Sequence, residues 1–327
     1  MGNDKIRFGF GCAIAAQVAW GLFPIYIHFL KSHDALAVVA HRIYWSFVLL
    51  ISLLGVARFV RSQYLPSLNE IQAGLKSPRT LVTCFFAALL IVTNWIGFIW
   101  AVLHDHKVDA SLGYYICPQL VVIFGVIFQR ERLARIQWVG FALTSLGVLY
   151  MVRSSASMPL VSLTVAFSFG FYALLKKRIS LSALDGLTLE SGFLFVPAII
   201  YLSFYCDFLP SAELAASGQP SDGPTVFTRS WQLNALLVGC GVATVVPLAM
   251  YATALKHIPL STVGLLQFIG PTIQFFIGTF VYHEQFDRSR LIGFVIVWAG
   301  VGIYLASMRS STSRSTSADN TRRESKR

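Results

Sequence analysis

Three ionisable side chains lie inside long apolar runs of the sequence, where a charge is costly to bury and usually has a function. His41 and Arg42 fall within the run 35–57, and Glu190 falls near the start of the run 187–205. Glu190 lies deeper if its helix begins near Ala183. We hypothesise that Arg42 binds an anionic group of a solute or gates the outer mouth. Glu190 would be its inner counterpart and the candidate for proton coupling. The alternative is that Arg42 reaches to the membrane interface with its long side chain.

A second group of polar and aromatic residues falls in the same apolar runs. Amide and hydroxyl groups supply directional hydrogen bonds to a solute, and indole rings stack on it. Each of these residues alone is also a common helix-packing or interface residue. As a group on the first four and the ninth predicted helices, they are predicted to line a cavity: Gln17, Trp20, Trp45, Asn94, Trp95, Tyr114, Gln119, Gln267 and Gln274.

Two prolines, Pro118 and Pro271, lie in the middle of apolar runs. Proline lacks a backbone N–H and so removes one helical hydrogen bond. The carbonyl that this frees lines a cavity or marks a hinge, or the proline is simply a tolerated kink. We treat both prolines as candidate hinges.

The composition indicates the medium in which these residues work. Of 327 residues, 55% are hydrophobic and only 13% are charged, and the mean hydropathy is +0.65. A water-soluble domain has about a quarter charged residues, so the lipid bilayer is the solvent that fits. The net charge of +11 comes from short basic clusters between apolar runs, which act as orientation signals and do not indicate nucleic-acid binding. No spacing of Cys and His indicates a metal, and no cofactor is expected.

Ten transmembrane helices are predicted, because a spanning helix needs about 20 apolar residues. Lys and Arg concentrate on one side of these spans, which predicts a multi-pass inner (plasma) membrane protein with both termini cytoplasmic. The gaps 58–79 and 206–232 are predicted loops, and the Ser/Thr/Arg-rich segment 309–327 is a predicted disordered tail. The spans are 8–30, 35–57, 80–103, 109–128, 136–152, 158–175, 187–205, 233–255, 260–282 and 290–307.

The sequence repeats itself at an offset of 153 residues, so that 94–147 aligns with 247–300 without gaps. The repeat predicts an all-α fold of two five-helix units, 1–153 and 154–308. A unit with an odd number of spans places its second copy upside down, which is the inverted-repeat plan of secondary transporters. The alternative is an old duplication retained only for packing. The geometrically meaningful matches are Pro118/Pro271, Gly125/Gly278, Glu131/Glu284, Gly140/Gly293 and Gly147/Gly300.

Across 8–308 the sequence resembles the EamA family of the drug/metabolite transporter superfamily, in its RarD type. The resemblance implies a ten-helix inner-membrane protein with a central cavity through which a small molecule moves. One departure is that Cys117 and Gln119 flank Pro118, where the family has Asn and Leu. The motifs that carry the resemblance include Ala19-Trp20-Gly21, His41-Arg42-Ile43-Tyr44-Trp45-Ser46, Asn94-Trp95, Ser111-Leu112-Gly113-Tyr114, Glu131-Arg132-Leu133, Leu187-Thr188-Leu189-Glu190 and Gly264-Leu265-Leu266-Gln267.

We therefore expect a secondary transporter, an exporter or permease, that moves a small metabolite or drug-like solute through a cavity between the repeats. It would act as a monomer or a homodimer. The first alternative is a receptor-like or structural membrane protein. The second is a membrane-embedded enzyme, for which His104-Asp105-His106 and His283-Glu284 are the sequence clusters to consider. Both clusters lie in short predicted loops, and the first lacks a nearby nucleophile in the sequence, so we expect no enzyme.

Overall fold

The computed structural model describes residues 3–30, 35–57, 59–60, 66–103, 107–153, 159–204, 230–283 and 288–324, and this part of the chain is helical without a strand. The predicted features at 104–106 and Glu284, and residues 206–229 of the predicted loop 206–232, lie outside the described residues. The helices are α1 (Asn3–His28), α2 (Ala35–Ala57), α3 (Leu68–Lys76), α4 (Pro78–Leu103), α5 (Lys107–Phe128), α6 (Arg135–Arg153), α7 (Pro159–Arg178), α8 (Ala183–Phe204), α9 (Trp231–His257), α10 (Leu260–Leu266), α11 (Ile269–Phe280) and α12 (Arg288–Glu324).

The described helices are long and apolar enough to cross a bilayer. Nine segments of the described chain meet that criterion, with α10 and α11 forming the single span Leu260–Phe280. The tenth apolar helix is α5, whose described apolar part is Gly113–Phe128. Large apolar side chains such as Leu160 and Val295 stay on the outer surface, as lipid allows. The predicted all-helical, polytopic membrane fold is confirmed.

Several helix ends differ from the predicted ones. The predicted loop 58–79 contains α3, a short helix that buries Ile71 and Gly74. The last helix continues to Glu324, past the predicted start of a disordered tail at Arg309. The predicted disorder of 309–327 stays a prediction.

The start of α8 explains why Glu190 lies deep in the protein. The helix begins at Ala183 rather than 187. Ser182 and Asp185 bond reciprocally, since the Asp185 N–H donates to Ser182 Oγ at 3.2 Å and Ser182 Oγ donates to Asp185 Oδ2 at 2.5 Å. Ser182 is therefore the N-cap of α8. The second Asp185 oxygen accepts from the Ser67 N–H at 2.6 Å, which fixes the entry of α3 beside α8.

The helices pack in a pattern that is unchanged when the two repeats are exchanged. At an offset of 153, α1 corresponds to α7, α2 to α8, α4 to α9, α5 to α10 and α11, and α6 to α12. Helix α1 packs on α9 and α11, and its counterpart α7 packs on α4 and α5. Three pairs of counterparts also pack on each other: α2 on α8, α5 on α10, and α6 on α12. We call the interface between first-repeat helices α1, α2, α4 and α5 and second-repeat helices α7 to α11 the seam.

Counterpart helices run in opposite directions where glycines bring them together. A Cβ on Gly140 would lie 2.7 Å from the Gly300 carbonyl oxygen, and one on Gly147 would lie 2.8 Å from the Gly293 carbonyl oxygen. As α6 advances from 140 to 147, its contact on α12 moves back from 300 to 293, so the two helices are antiparallel. Small residues permit this backbone approach in lipid.

A second local feature recurs at the repeat spacing. Arg130 (φ 56°) and His283 (φ 53°) are the non-glycine residues with positive φ in the described chain, and their numbers differ by the repeat offset. Arg130 follows the end of α5, and the Glu131 N–H bonds back to the Gly125 carbonyl at 3.1 Å. This left-handed turn ends the helix and aims Glu131 at the second repeat.

Candidate functional site

Arg42 is the charged group at the centre of the seam. Its Nε donates to Thr244 Oγ1 of α9 at 3.1 Å. Its guanidinium carbon lies 4.8 Å from the Phe23 ring centroid and 4.4 Å from the Trp95 ring centroid, so aromatic faces stabilise the cation. No carboxylate among the described residues lies within ion-pair distance of it. Apart from the Nε–H, no N–H of the guanidinium donates to another described residue.

A small internal cavity of about 30 Å³ lies beside this cation. Trp95 and Thr244, which contact Arg42, are part of its wall, and Glu190 is part of the same wall. Its volume suits about one water molecule rather than an organic solute. Both repeats line it: Ile43, Ser46, Leu50, Ile91, Trp95, Tyr172, Leu187, Glu190, Ser191, Leu194, Thr244, Val245 and Leu248.

Glu190 forms a buried ion pair with Lys176, not with Arg42. Lys176 Nζ lies 2.7 Å from Glu190 Oε1, and both side chains are almost fully buried. The Tyr172 hydroxyl donates to the other carboxylate oxygen at 3.4 Å. Glu190, the predicted inner counterpart of Arg42, is therefore paired with a cation of its own repeat.

Sequence reasoning missed Lys176 as a site residue. The predicted span 158–175 ends just before Lys176. From the sequence alone, Lys176 belongs to a basic loop cluster with Lys177 and Arg178. In the structure α7 runs to Arg178 and Lys176 is only 3% exposed. The signal was present, since Tyr172 and Lys176 are four residues apart and share a helix face.

Gln267 belongs to an aromatic cluster in the seam. Its Nε2 donates to the Tyr251 hydroxyl at 2.6 Å, and its Oε1 faces Cys117 Sγ at 3.7 Å. The Tyr251 ring packs on Trp20 and Phe169, with centroids 5.4 Å away in each case. Trp20 and Gln267 are thus brought together from opposite repeats, although neither lines the small cavity.

Asn94 and Tyr114 form a joint between helices rather than an open binding surface. Asn94 Nδ2 donates to the Val165 carbonyl at 2.8 Å and to Ser168 Oγ at 3.3 Å. The Tyr114 hydroxyl donates to Asn94 Oδ1 at 3.4 Å. These bonds link α4, α5 and α7, so the amide of Asn94 is largely used by the protein itself.

The remaining predicted residues lie in helix contacts around the seam. Gln119 faces α6, where its Oε1 accepts from Ser145 at 3.0 Å, so it does not line the cavity. Gln274 Nε2 donates to the Trp20 carbonyl at 3.0 Å. The others are placed by burial and packing: Gln17 against Gly270, fully buried His41, and Trp45 against Gly241.

The helices that hold the two candidate hinge prolines differ in continuity. Helix α5 continues through Pro118. The ninth span is interrupted between α10 and α11, at the two residues that lie four and three positions before Pro271. Pro271 has no N–H for the Gln267 carbonyl, but the same loss at Pro118 leaves α5 unbroken, so the proline alone does not cause the interruption. The break lies beside the Gln267 cluster.

At the end of the bundle where α5 ends and α10 begins, which we call the Glu131 end, two charged side chains cap second-repeat helices. Glu131 accepts from the N–H groups of Leu260 (2.6 Å) and Ser261 (2.9 Å) at the start of α10. Lys177 donates to the carbonyls of Leu255 (2.5 Å) and Ile258 (2.7 Å) at the end of α9. Both charges match the helix dipoles. Glu131 therefore joins the two repeats through backbone N–H groups.

A helical bundle with charged and polar groups along an internal seam is the architecture of membrane transporters. The model of the EamA-like transporter family matches residues 7–153 and, a second time, residues 156–306. The chain therefore belongs to the EamA-like transporter family, and the RarD-type resemblance seen in the sequence is confirmed.

Relatives match over nearly the whole chain. An uncharacterized transporter of Vibrio cholerae serotype O1 is 38% identical over 302 residues, which are 92% of this chain and 93% of the relative. The protein RarD of Escherichia coli K12 is 33% identical over 305 residues, 93% of this chain and 96% of its own. A solved crystal structure superimposes with a TM-score of 0.64 at 16% identity, covering 90% of this chain and 96% of the other, which supports the fold alone.

Proposed function

We propose that this chain is a secondary transporter that moves a small anionic solute across the cytoplasmic membrane through the seam between two inverted repeats. The observation that carries the proposal is the Arg42 cluster. A cation without a described acidic partner is held by Phe23 and Trp95 of one repeat and by Thr244 of the other. A site shared between repeats changes shape when the repeats move relative to each other.

The inverted arrangement is supported by the direction of counterpart helices. The antiparallel contact of α6 with α12 requires an axis perpendicular to the helices. The contacts of α5 with α10 agree, since Gly264 faces Pro118 while Ser261 faces Gly125 further along α5. An axis along the bilayer normal would make counterparts parallel.

The substrate class follows from the charge of the seam. Lys176 and Glu190 neutralise each other, and Arg42 has no ion-pair partner among the described residues. An unpaired charge is unfavourable in a low-dielectric interior, and a guanidinium binds planar carboxylates through parallel N–H donors. A solute with a carboxylate or similar anionic group completes the site.

The small cavity indicates that transport needs movement at the seam. About 30 Å³ does not hold an organic anion, so the repeats separate to admit one. Such movement would occur at the helix break before Pro271. It would also occur at the two helix ends that Glu131 and Lys177 each cap with one side chain. The proposal covers transport in either direction, export or uptake. It also includes both termini in the cytoplasm.

Replacing Arg42 by glutamine should abolish both binding and transport of the anion. Benzoate paired with benzamide, and succinate paired with succinamide, would be screened by thermal unfolding of purified protein. Binders would then be followed by counterflow in proteoliposomes. We expect stabilisation by a carboxylate only, and a loss of at least about 30-fold in Arg42→Gln, as for truncation of a buried charge pair.

The exposed Arg153 supplies the matched control, since Arg153→Gln removes the same charge away from the seam. Unchanged transport in Arg42→Gln would overturn the anion site. Binding without any counterflow in sealed vesicles would instead favour the receptor-like alternative.

A further inference from the structure

A hollow of about 350 Å³ lies at the Glu131 end, between the start of α4 and the end of α7. We propose that it binds the phosphate headgroup of an anionic phospholipid. It lies at the edge of the α4–α7 contact and shares no wall residue with the small cavity. Its wall consists of two arginines, three hydroxyl residues and two aliphatic residues: Arg79, Arg178, Thr80, Thr83, Ser180, Leu175 and Ile179.

The two arginines provide the charge for a phosphate. No hydrogen-bond or ion-pair partner of the Arg79 side chain occurs among the described residues. Arg178 uses one N–H, from Nη2, to donate to the Phe128 carbonyl at 3.3 Å. Both side chains are exposed, so their other donors are accessible. Arg79 also lies in the first turn of α4, where the helix dipole favours an anion.

Apolar surface below the arginines distinguishes a lipid from free phosphate. Val82 and Phe86 lie three and seven residues after Arg79, on the same face of α4, and each is 52% exposed. Phe171 lies seven residues before Arg178 on α7, where its ring packs on Phe124 of α5 and stays 36% exposed. Each arginine therefore stands about 10 Å along its helix from an exposed phenyl ring. Acyl chains can lie along these rings while the phosphate sits between the guanidinium groups.

The depth of the hollow also fits the edge of a bilayer. Arg79 and Arg178 lie at the ends of apolar spans, Pro78–Phe98 and Leu160–Arg178. Basic groups between helices at such an edge attract anionic headgroups. The floor residues Leu175 and Ile179 are apolar, as the glycerol and upper acyl region of a lipid requires.

The test is lipid binding by the double variant Arg79→Gln/Arg178→Gln. Native mass spectrometry of purified full-length protein would measure retention of phosphatidylglycerol against phosphatidylcholine, with glycerol 3-phosphate and inorganic phosphate as competitors. We expect the double variant to bind phosphatidylglycerol about 20-fold more weakly, since each basic residue contributes about a factor of five. Phosphatidylcholine binding should not change.

The control is Arg132→Gln/Arg135→Gln, which removes two exposed charges from the same end of the bundle. An equal loss in this control would mean general electrostatic attraction and would overturn the proposal. Competition by inorganic phosphate at the same concentration as the lipid would overturn the lipid assignment. If the double variant fails to fold, the single variant Arg79→Gln takes its place in the lipid-binding measurement, because this substitution removes no described contact.

Discussion

Replacing Lys176 by methionine should lower the free energy of unfolding by about 3 kcal/mol, because it leaves the Glu190 carboxylate buried without its cation. Adding Glu190→Gln to the same chain should restore most of that loss, since the two residues interact with each other at 2.7 Å. The measurement is a double-mutant cycle from denaturant unfolding in detergent micelles.

The exposed Lys76 provides the control for this cycle, since Lys76→Met should change stability by less than about 0.5 kcal/mol. Additive losses in the Lys176→Met/Glu190→Gln double variant would mean that the pair does not act as a unit. Because that double variant is expected to fold, it also tests the predicted role of Glu190 in proton coupling. If this double variant still exchanges solute across the membrane but no longer accumulates it when a pH gradient is imposed, the coupling proton is assigned to Glu190.

Placing a methyl group at Gly300 should destabilise the protein by about 2 kcal/mol, as overpacking of a tight contact does. A Cβ there would lie 2.6 Å from the Gly140 carbonyl oxygen and 2.8 Å from the Thr144 backbone nitrogen. Backbone atoms cannot move aside as a flexible side chain can, so α6 and α12 must separate. Thermal and denaturant unfolding of Gly300→Ala measures the effect.

Gly302 offers a control on the same helix, because a Cβ at that position meets nothing within 4 Å. Gly302→Ala should be neutral or more stable by up to about 1 kcal/mol, owing to the better helix propensity of alanine. If Gly300→Ala were as stable as Gly302→Ala, the close antiparallel contact of α6 and α12 would be refuted. Solute selectivity should be unchanged in both variants, since neither glycine lines the cavity.

The fold was predictable because it depends on features that are local in sequence. Apolar runs long enough to span lipid locate the helices, and the matched prolines and glycines reveal the repeat. Arg42 could be singled out because an intramembrane arginine is rare. Its partners Phe23 and Thr244 could not, because aromatic and hydroxyl residues are common in such helices and only the packing of α1 and α9 brings them to it.

The remaining differences between the predicted and the observed residue contacts arise where the sequence is compatible with more than one arrangement. Lys176 looked like a flanking charge because a basic cluster marks a membrane edge, yet one further helical turn buries it beside Glu190. Pro118 and Pro271 are equivalent in sequence, but only the second lies beside a break. Asn94 stays a predicted solute ligand, and its bonds to Val165 and Ser168 of α7 could not be read from the sequence.

Thiol labelling at Thr244 tests most directly whether the seam opens alternately to the two sides of the membrane. Thr244 lines the cavity and is 2% exposed. In a variant with Thr244→Cys and the native cysteines replaced, a membrane-impermeant thiol reagent would be applied to each side of sealed proteoliposomes. The account predicts labelling from both sides, with protection by a bound carboxylate, while Thr144→Cys between α6 and α12 stays unlabelled. Labelling of Thr244→Cys from neither side, or from one side only, would contradict it.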